Sequence, residues 1–369
     1  MKYKEVNLGE LVSFVSKGIP PKYIETKSDN TIVVLNQRTN RNFQIDYSLS
    51  RLNDLLKKKV PTNKILIDYD ILINSTGVGT AGRVAQLVKV PELTTVDGHM
   101  IIVRPDEEKI DPLYLGYALK AQQVKIEGLQ EGSTGQTELN RQRLLNDIII
   151  QFPESRKLQQ DISRLFFSLD EKIENNKKIN HHLEQMALSI FKEEFSKKEV
   201  TNKLGDFFPV ITGKKDANIA KGGEYPFFSC SQNISYTDNY SFDARAILLA
   251  GNGDFNVKIF NGKFEAYQRT YVLIPNNDEH FGYLYYAIKY FLNDITSGHR
   301  GSVIKFITKG QIEHFDIFMT SNKEKLFLFN SFIENIANNN KEIDKLTNIR
   351  DTLLPKLLSG EISIDQASK

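Results

Sequence analysis

The chain has 369 residues, 40% hydrophobic and 25% charged, with a formal net charge of +2. That length favours two or three domains, and the composition is globular rather than disordered. No stretch approaches 18 consecutive apolar residues, so no membrane-spanning helix is expected, and the near-neutral charge supplies no overall basic footprint for nucleic acid.

Residues 1–10 mix charges with apolar side chains and lack the apolar core of a signal peptide, so a cytoplasmic chain is expected. Residues 32–35, 65–67, 71–73 and 100–103 are short apolar runs flanked by Gly, Pro, Asn or Asp, the pattern of strands. Lys57, Lys58 and Lys59 form a basic run, equally well explained as a solvated face. Gly77-Val78-Gly79-Thr80-Ala81-Gly82 has the spacing of a dinucleotide-binding turn. The next segment, with Val84, Val88, Val90 and then Pro91, is strand-like where that site needs a helix. A loop whose glycines supply positive φ accounts for it better. Residues 113–125 have helical spacing.

From residue 156 to about 195 neither Pro nor Gly occurs. Phe166, Leu169, Ile173, Asn176, Ile179, Leu183, Met186 and Ile190 recur there at spacings of three and four, a coiled-coil seam. Such a helix would be about 60 Å long. Residues 246–250 and 271–274 have strand patterns and residues 281–291 a helical one. A second seam comes after them in Phe329, Phe332, Ile336, Asn339, Ile343, Leu346, Ile349 and Leu353, with Pro355 expected to end or kink the helix and Gly360 to stop it.

An isolated helix would leave either stripe exposed, so the two are expected to pack together. Connectivity makes the pair antiparallel, with Asn176 and Asn339 meeting near the middle to set register. The predicted fold class is α/β in the mixed α+β sense: two globular regions separated by two long helices packed as an antiparallel coiled coil, with a pseudo-two-fold internal repeat. The boundaries are residues 1–153, 154–198, 199–320, 321–360 and a tail, 361–369.

The repeat has its own support. Leu8-Gly9-Glu10 answers to Leu204-Gly205-Asp206, and Ile71-Leu72-Ile73 with Gly77 to Ile247-Leu248-Leu249 with Gly253. Tyr114-Leu115-Gly116-Tyr117-Ala118 answers to Tyr283-Leu284-Tyr285-Tyr286-Ala287, and Gly132-Ser133-Thr134-Gly135 to Gly298-His299-Arg300-Gly301. The offset falls along the chain from 196 to about 163, which places most insertions in the first part of each unit.

Catalytic signatures are wanting. His181 and His182 are adjacent and cannot share a helix face as a metal pair would. The single cysteine, Cys230, excludes an internal disulfide and a cysteine-based zinc site. No G-x-S-x-G, H-E-x-x-H, phosphate-loop or Asn-Pro-Pro-aromatic element occurs. Nothing in the sequence positions a partner for Asp97 or Asp254.

Ser155-Arg-Lys-Leu-Gln-Gln-Asp-Ile-Ser-Arg-Leu, with Leu169-Asp170-Glu-Lys-Ile-Glu-Asn-Asn, resembles the central conserved helix of the specificity subunits of type I restriction–modification enzymes. Arg350-Asp-Thr-Leu-Leu-Pro-Lys-Leu-Leu-Ser-Gly-Glu-Ile resembles that family's C-terminal ending. Leu8-Gly-Glu-Leu-Val and Lys203-Leu-Gly-Asp-Phe resemble the openings of its two target-recognition domains. The resemblance covers essentially the whole chain. It implies a non-catalytic DNA-recognition subunit in which each recognition domain reads one half of a bipartite double-stranded DNA site and the helices set the spacing. It also implies two methyltransferase subunits docked along the helices, with a restriction–motor subunit as an optional further partner. No cofactor is expected in this chain; S-adenosylmethionine and ATP with Mg belong to the partners. No membrane is involved. A related fused restriction–methylation system would use the same kind of subunit, and a coiled-coil protein scaffold is the alternative outside DNA binding.

Base reading needs donors and acceptors on loops. The candidates are Asn74, Ser75, Thr76, Arg83, Ser133, Thr134, Gln136 and Thr137 in the first region. In the second they are Asn252, Asn256, Arg269, His299, Arg300, Ser302 and Lys305. Gly, Ser, Thr and Asn are also ordinary loop residues, so turn formation competes as the explanation of each.

Overall fold

The computed structural model describes residues 2–132, 138–298 and 305–367. Its contacts divide the chain into two units, residues 1–173 with 344–369, and residues 174–343. The expected boundaries set each long helix apart; the contacts instead assign a part of each helix to each unit.

The first unit is built on a four-stranded antiparallel sheet in the order Val12–Lys17, Met100–Pro105, Ile71–Asn74, Val84–Gln86. Strand side chains alternate between faces, and here both faces are covered. Ile71, Ile73, Ile101 and Val103 pack with the helix Pro112–Ala121. Leu72, Met100 and Ile102 pack with Val33 and Leu35 of a second sheet. That sheet runs Thr94–Val96, Thr31–Leu35, Arg51–Asp54, Tyr23–Ile24, with its first pair parallel. Double coverage is why the strands are continuous apolar runs. Residues 65–67 do not form the expected strand: the Ile67 amide donates to the Asp70 carboxylate at 2.9 Å, which turns the chain. The expected helix over 113–125 is two, Pro112–Ala121 and Gln123–Glu127. Asp111 caps the first, accepting from the Tyr114 amide, with Pro112 in the opening turn.

The second unit repeats this plan in one six-stranded sheet: Val210–Thr212, Thr270–Leu273, Phe242–Ala250, Val257–Ala266, Tyr225–Phe228, Ser235–Thr237. The long strand Val257–Ala266 does the work of both Val84–Gln86 and Thr94–Val96, pairing antiparallel on one side and parallel on the other. Ile247, Leu249 and Leu273 face the helix Phe281–Tyr290, and Leu248 and Val272 face the opposite cluster. Individual backbone bonds recur. Leu8 to Ile148 becomes Leu204 to Phe315, Gly18 to Met100 becomes Gly213 to Thr270, and Ser75 to His99 becomes Gly251 to Arg269.

The first long helix is Arg156–Glu194 and the second Lys323–Ser359. In the first unit Ile162 and Phe166 meet Leu354, Leu357 and Leu358. In the second unit the Asn176 amide donates to Glu342, Asn339 to Asn180, and Lys325 to Glu194. Positions rising on one helix meet positions falling on the other, so the segments are antiparallel. Asn176 and Asn339 do not bond one another as expected, because each faces a residue about a turn away from the other.

The expected seam also needs correction. Ile179 and Met186 are 47% and 53% exposed, while Asn180 and the fully buried Ala187 take the inward positions. An apolar pattern overlooks a seam whose inward residues are an amide and a methyl. Leu169, Leu183, Ile190, Ile336, Asn339, Ile343, Leu346, Ile349 and Leu353 are half-buried, and Ile173, Asn176 and Phe332 buried. Pro355 neither ends the helix nor stops it short of Ser359. The donor it lacks would serve the carbonyl of Asp351, which is exposed to water. Gly360, with φ +73°, ends the helix as expected.

Candidate nucleic-acid interface

In each unit three backbone segments meet at one edge of the sheet, the end where two of its central strands stop. In the first, Thr76 bridges Glu138, Ser75 donates to the His99 carbonyl, and Leu139 donates to the Ser75 carbonyl. In the second, Asn252 bridges Phe306, Gly251 donates to the Arg269 carbonyl, and Ile307 donates to the Gly251 carbonyl. In sequence, Ser133, Thr134, Gln136 and Thr137 precede Glu138, and His299, Arg300 and Ser302 precede Phe306. Those seven candidates lie outside the described residues.

Glycine makes the edges possible. A Cβ on Gly18 would lie 2.1 Å from the Val96 carbonyl oxygen, and one on Gly213 2.2 Å from that of Tyr267. No side chain fits either position. Gly77, Gly79 and Gly82 have φ of +115°, +68° and +88°, so the glycine-rich segment is a strand-to-strand loop as expected.

Among the first unit's candidates, Asn74 and Ser75 are fully buried. Asn74 accepts from Asn40 and donates to the Gln37 carbonyl, so its polar atoms are occupied inside the protein and do not face a groove. Ser75 acts through its backbone. Thr76 is half-buried, its hydroxyl 2.7 Å from Nδ1 of the exposed His99. Arg83 donates to the Gly79 carbonyl at 3.1 Å and lines a recess of about 670 Å³ with Arg41 and Glu127. In the second unit Asn256 is buried, donating to the carbonyls of Cys230 and Asp254, so it organises the loop rather than reaching out of it. Arg269 and Lys305 are exposed, and Asn252 is half-buried. Among the described residues no carboxylate pairs with Arg269.

Sequence patterns alone do not single out Lys17, Lys64, His99 and Arg141, which the fold brings to the first edge. Lys17 pairs with Glu138, and the two line a cleft of about 530 Å³ with Asn140 and Arg141. The Lys64 ammonium donates to the Gly18 carbonyl at 2.9 Å. Burial, then the charge of Arg141, hold both ammonium groups below their usual range. Arg141 thus repels both ammonium groups at this edge, while Glu131 and Glu138 in the same cleft offset part of the positive charge. Beneath them Asp97 accepts from the His99 amide at 2.9 Å and from the Tyr23 hydroxyl. Burial pushes its carboxyl above the usual range, against the pull of the His99 amide. One signal could have found His99: it takes the place of Arg269 when the repeat is carried through at single residues.

A family model described as the type I restriction modification DNA specificity domain matches residues 1–185 and 197–348. The chain belongs to that family. It is similar to the type I restriction enzyme EcoDI specificity subunit of Escherichia coli, 33% identical over 177 residues, 46% of this chain and 40% of that protein. The chain thus aligns with less than half the length of that relative. It is 25% identical over 324 residues to the MjaIX specificity subunit of Methanocaldococcus jannaschii, 74% of each chain. The crystal structure of the S subunit of a type I system from M. genitalium shares the fold, with a TM-score of 0.64 over 97% of this chain and 96% of that one at 18% identity. Each matched segment of this specificity-family chain comprises one globular region and much of the long helix after it.

Proposed function

We propose that this chain is the DNA-reading subunit of a type I restriction–modification complex and carries no catalytic site. Each unit reads one half of a bipartite site through its sheet edge, and the long helices set the spacing and dock two methyltransferase subunits. A restriction–motor subunit is the further partner, S-adenosylmethionine and ATP with Mg stay on the partners, and the complex works in the cytoplasm. Among the described residues no helix is long and apolar enough to cross a membrane. The observation that carries the reading is the duplicated edge. The same backbone bonds recur in both units, while the side chains they present differ: His99 against Arg269, and Thr76 against Asn252.

The test is base preference of the assembled complex, measured by binding to a panel of DNAs and by methylation mapping in a host with and without the gene. Arg269→Ala should relax one half of the motif by about 1–3 kcal/mol, the range for a bidentate arginine–guanine contact. His99→Ala should alter the other half alone. A motif unchanged in both variants, or a methylome indifferent to the gene, would sink the reading.

A further inference from the structure

In the first unit the turn between the strands Thr94–Val96 and Met100–Pro105 holds His99 at three points. Its amide donates to Oδ1 of Asp97 at 2.9 Å, its carbonyl accepts from the Ser75 amide at 2.8 Å, and its ring Nδ1 lies 2.7 Å from the Thr76 hydroxyl. Asp97 is fixed in turn. It is 4% exposed, its other carboxylate oxygen accepts from the Tyr23 hydroxyl, and its carbonyl accepts from the Met100 amide. The imidazole is exposed, and its Nε2 has no partner among the described residues. The second unit keeps the turn without the clamp. Thr270 donates to the Tyr267 carbonyl and Gly251 to that of Arg269. Tyr267 brings no carboxylate, and among the described residues no hydrogen bond joins Asn252 to Arg269.

These bonds leave Nε2 as the one polar atom of a ring whose other nitrogen is already engaged. Nε2 carries a hydrogen in two of the ring's three states, the imidazolium and the neutral form whose Nδ1 accepts from Thr76. The clamp therefore presents a single donor in a set place, where Arg269 presents a fork of five on a long side chain. Guanine suits a fork, with its acceptors N7 and O6 side by side, and thymine O4 has a methyl group beside it. N7 is the acceptor that adenine and guanine share, and it needs no second contact. We propose that His99 reads a purine through its N7, without telling adenine from guanine, and that Thr76 is the positioning residue that aims the ring. The proposal rests on the function proposed above, which puts this edge against DNA. Its consequence is a division between the halves of the site: one carries a degenerate purine position read by a single donor, the other a guanine read by an arginine fork.

The experiment uses the assembled complex and its mapped split motif. Each purine of the motif is replaced, one at a time, by its 7-deaza analogue, in which N7 becomes C–H, and binding is measured for wild type and variants. At one position of one half the analogue should weaken wild-type binding about tenfold and leave His99→Ala indifferent. Natural adenine and guanine should be bound there within about twofold of one another, and pyrimidines rejected. Thr76→Val, which keeps the shape and loses the hydroxyl, should lose most of that sensitivity, and Thr76→Ser should restore it. Arg269→Ala should leave the position untouched. A flat 7-deaza scan in wild type, or a sensitive position that survives in full in His99→Ala or in Thr76→Val, overturns the proposal. A wild-type complex with no split motif refutes the functional reading itself, before any analogue is made.

Discussion

Asp170→Ala in the first unit tests whether a buried charge cluster holds the helix segments to the globular region. One carboxylate accepts from the Tyr117 hydroxyl at 2.9 Å, the Lys120 ammonium at 3.0 Å and the Arg350 guanidinium at 2.6 Å. Lys120 belongs to the helix Pro112–Ala121 and Arg350 to the second long helix, so three elements converge on it. The side chains of Lys120, Asp170 and Arg350 are 15–16% exposed. Removing the carboxylate leaves the Lys120 ammonium and the Tyr117 hydroxyl without their acceptor in poorly hydrated surroundings, and the Arg350 guanidinium with only the exposed Asp351. Breaking such a pair from one side costs about 3–5 kcal/mol when fully buried. With some water still reaching the site, about 3 kcal/mol is expected here. For a unit of roughly 200 residues this lowers the melting temperature by about 6–12 °C. Asp170→Asn, which keeps the shape and loses the charge, should fall between. The assay is calorimetry of the full chain across pH. Burial opposes ionisation of Asp170, but Lys120 and Arg350 outweigh it and hold the carboxyl below the usual range. A depressed carboxyl stabilises the fold above its unfolded pKa and loses that contribution as pH falls through the folded value. The gap between wild type and Asp170→Ala should therefore be full at pH 7 and narrow below about pH 4. A variant within about 1 kcal/mol of wild type at pH 7, or a gap that widens in acid, would exclude this role for Asp170.

Gly18→Ala and Gly213→Ala each drive a methyl into a carbonyl oxygen and should cost at least about 3 kcal/mol, read as a lowered melting temperature and the loss of one half-site. Replacing Lys17 and Arg141 together by Ala should reduce the salt slope of DNA binding by about 0.9 for each phosphate left unneutralised, measured across a salt series with the assembled complex. An unchanged slope would mean that neither residue touches a phosphate. Asn176→Leu removes an amide from an inward, 7% exposed position and should raise stability by about 1 kcal/mol, since a buried seam amide sets register at the expense of stability. A lowered melting temperature would show that the bond to Glu342 outweighs the apolar gain.

Features that depend on periodicity are legible in the sequence. The apolar runs at 71–73 and 246–250 are strands because both of their faces are covered, and the long proline-poor segments are helices. The repeat is legible too: the offset falls mostly ahead of the strand Ile71–Asn74, from 196 at Leu8 to 176 at Ile71, and the fusion of two strand roles into Val257–Ala266 accompanies a smaller later step. Polar and small inward residues are not. Asn180 and Ala187 carry no apolar signal, so apolar spacing puts the seam one position off, on Ile179 and Met186. The candidate site is half legible for the same reason. Asn74 and Asn256 look like loop donors, yet tertiary bonds to Gln37 and Cys230, with a local one to Asp254, turn them inward. Lys17 and Arg141 are 124 positions apart and become one cluster only when the sheet edge forms.

Under the proposed function, the two edges would let the target change without a change of fold. The bonds that define each edge run between main-chain atoms, so they are indifferent to the side chains at those positions. Ser75 stands where Gly251 does, His99 where Arg269 does, and Asp97 where Tyr267 does, with the backbone bonding retained each time. Two positions are not free: Gly18 and Gly213 are fixed by the carbonyls packed against them. Stability is thus assigned to the strands, the glycines and the helix packing and, under the proposed function, specificity to exposed side chains that carry little of it. Exchanging His99 or Arg269 should therefore alter recognition with little loss of stability, whereas exchanging Gly18 or Asp170 should lower stability in proportion to the packing and bonding removed.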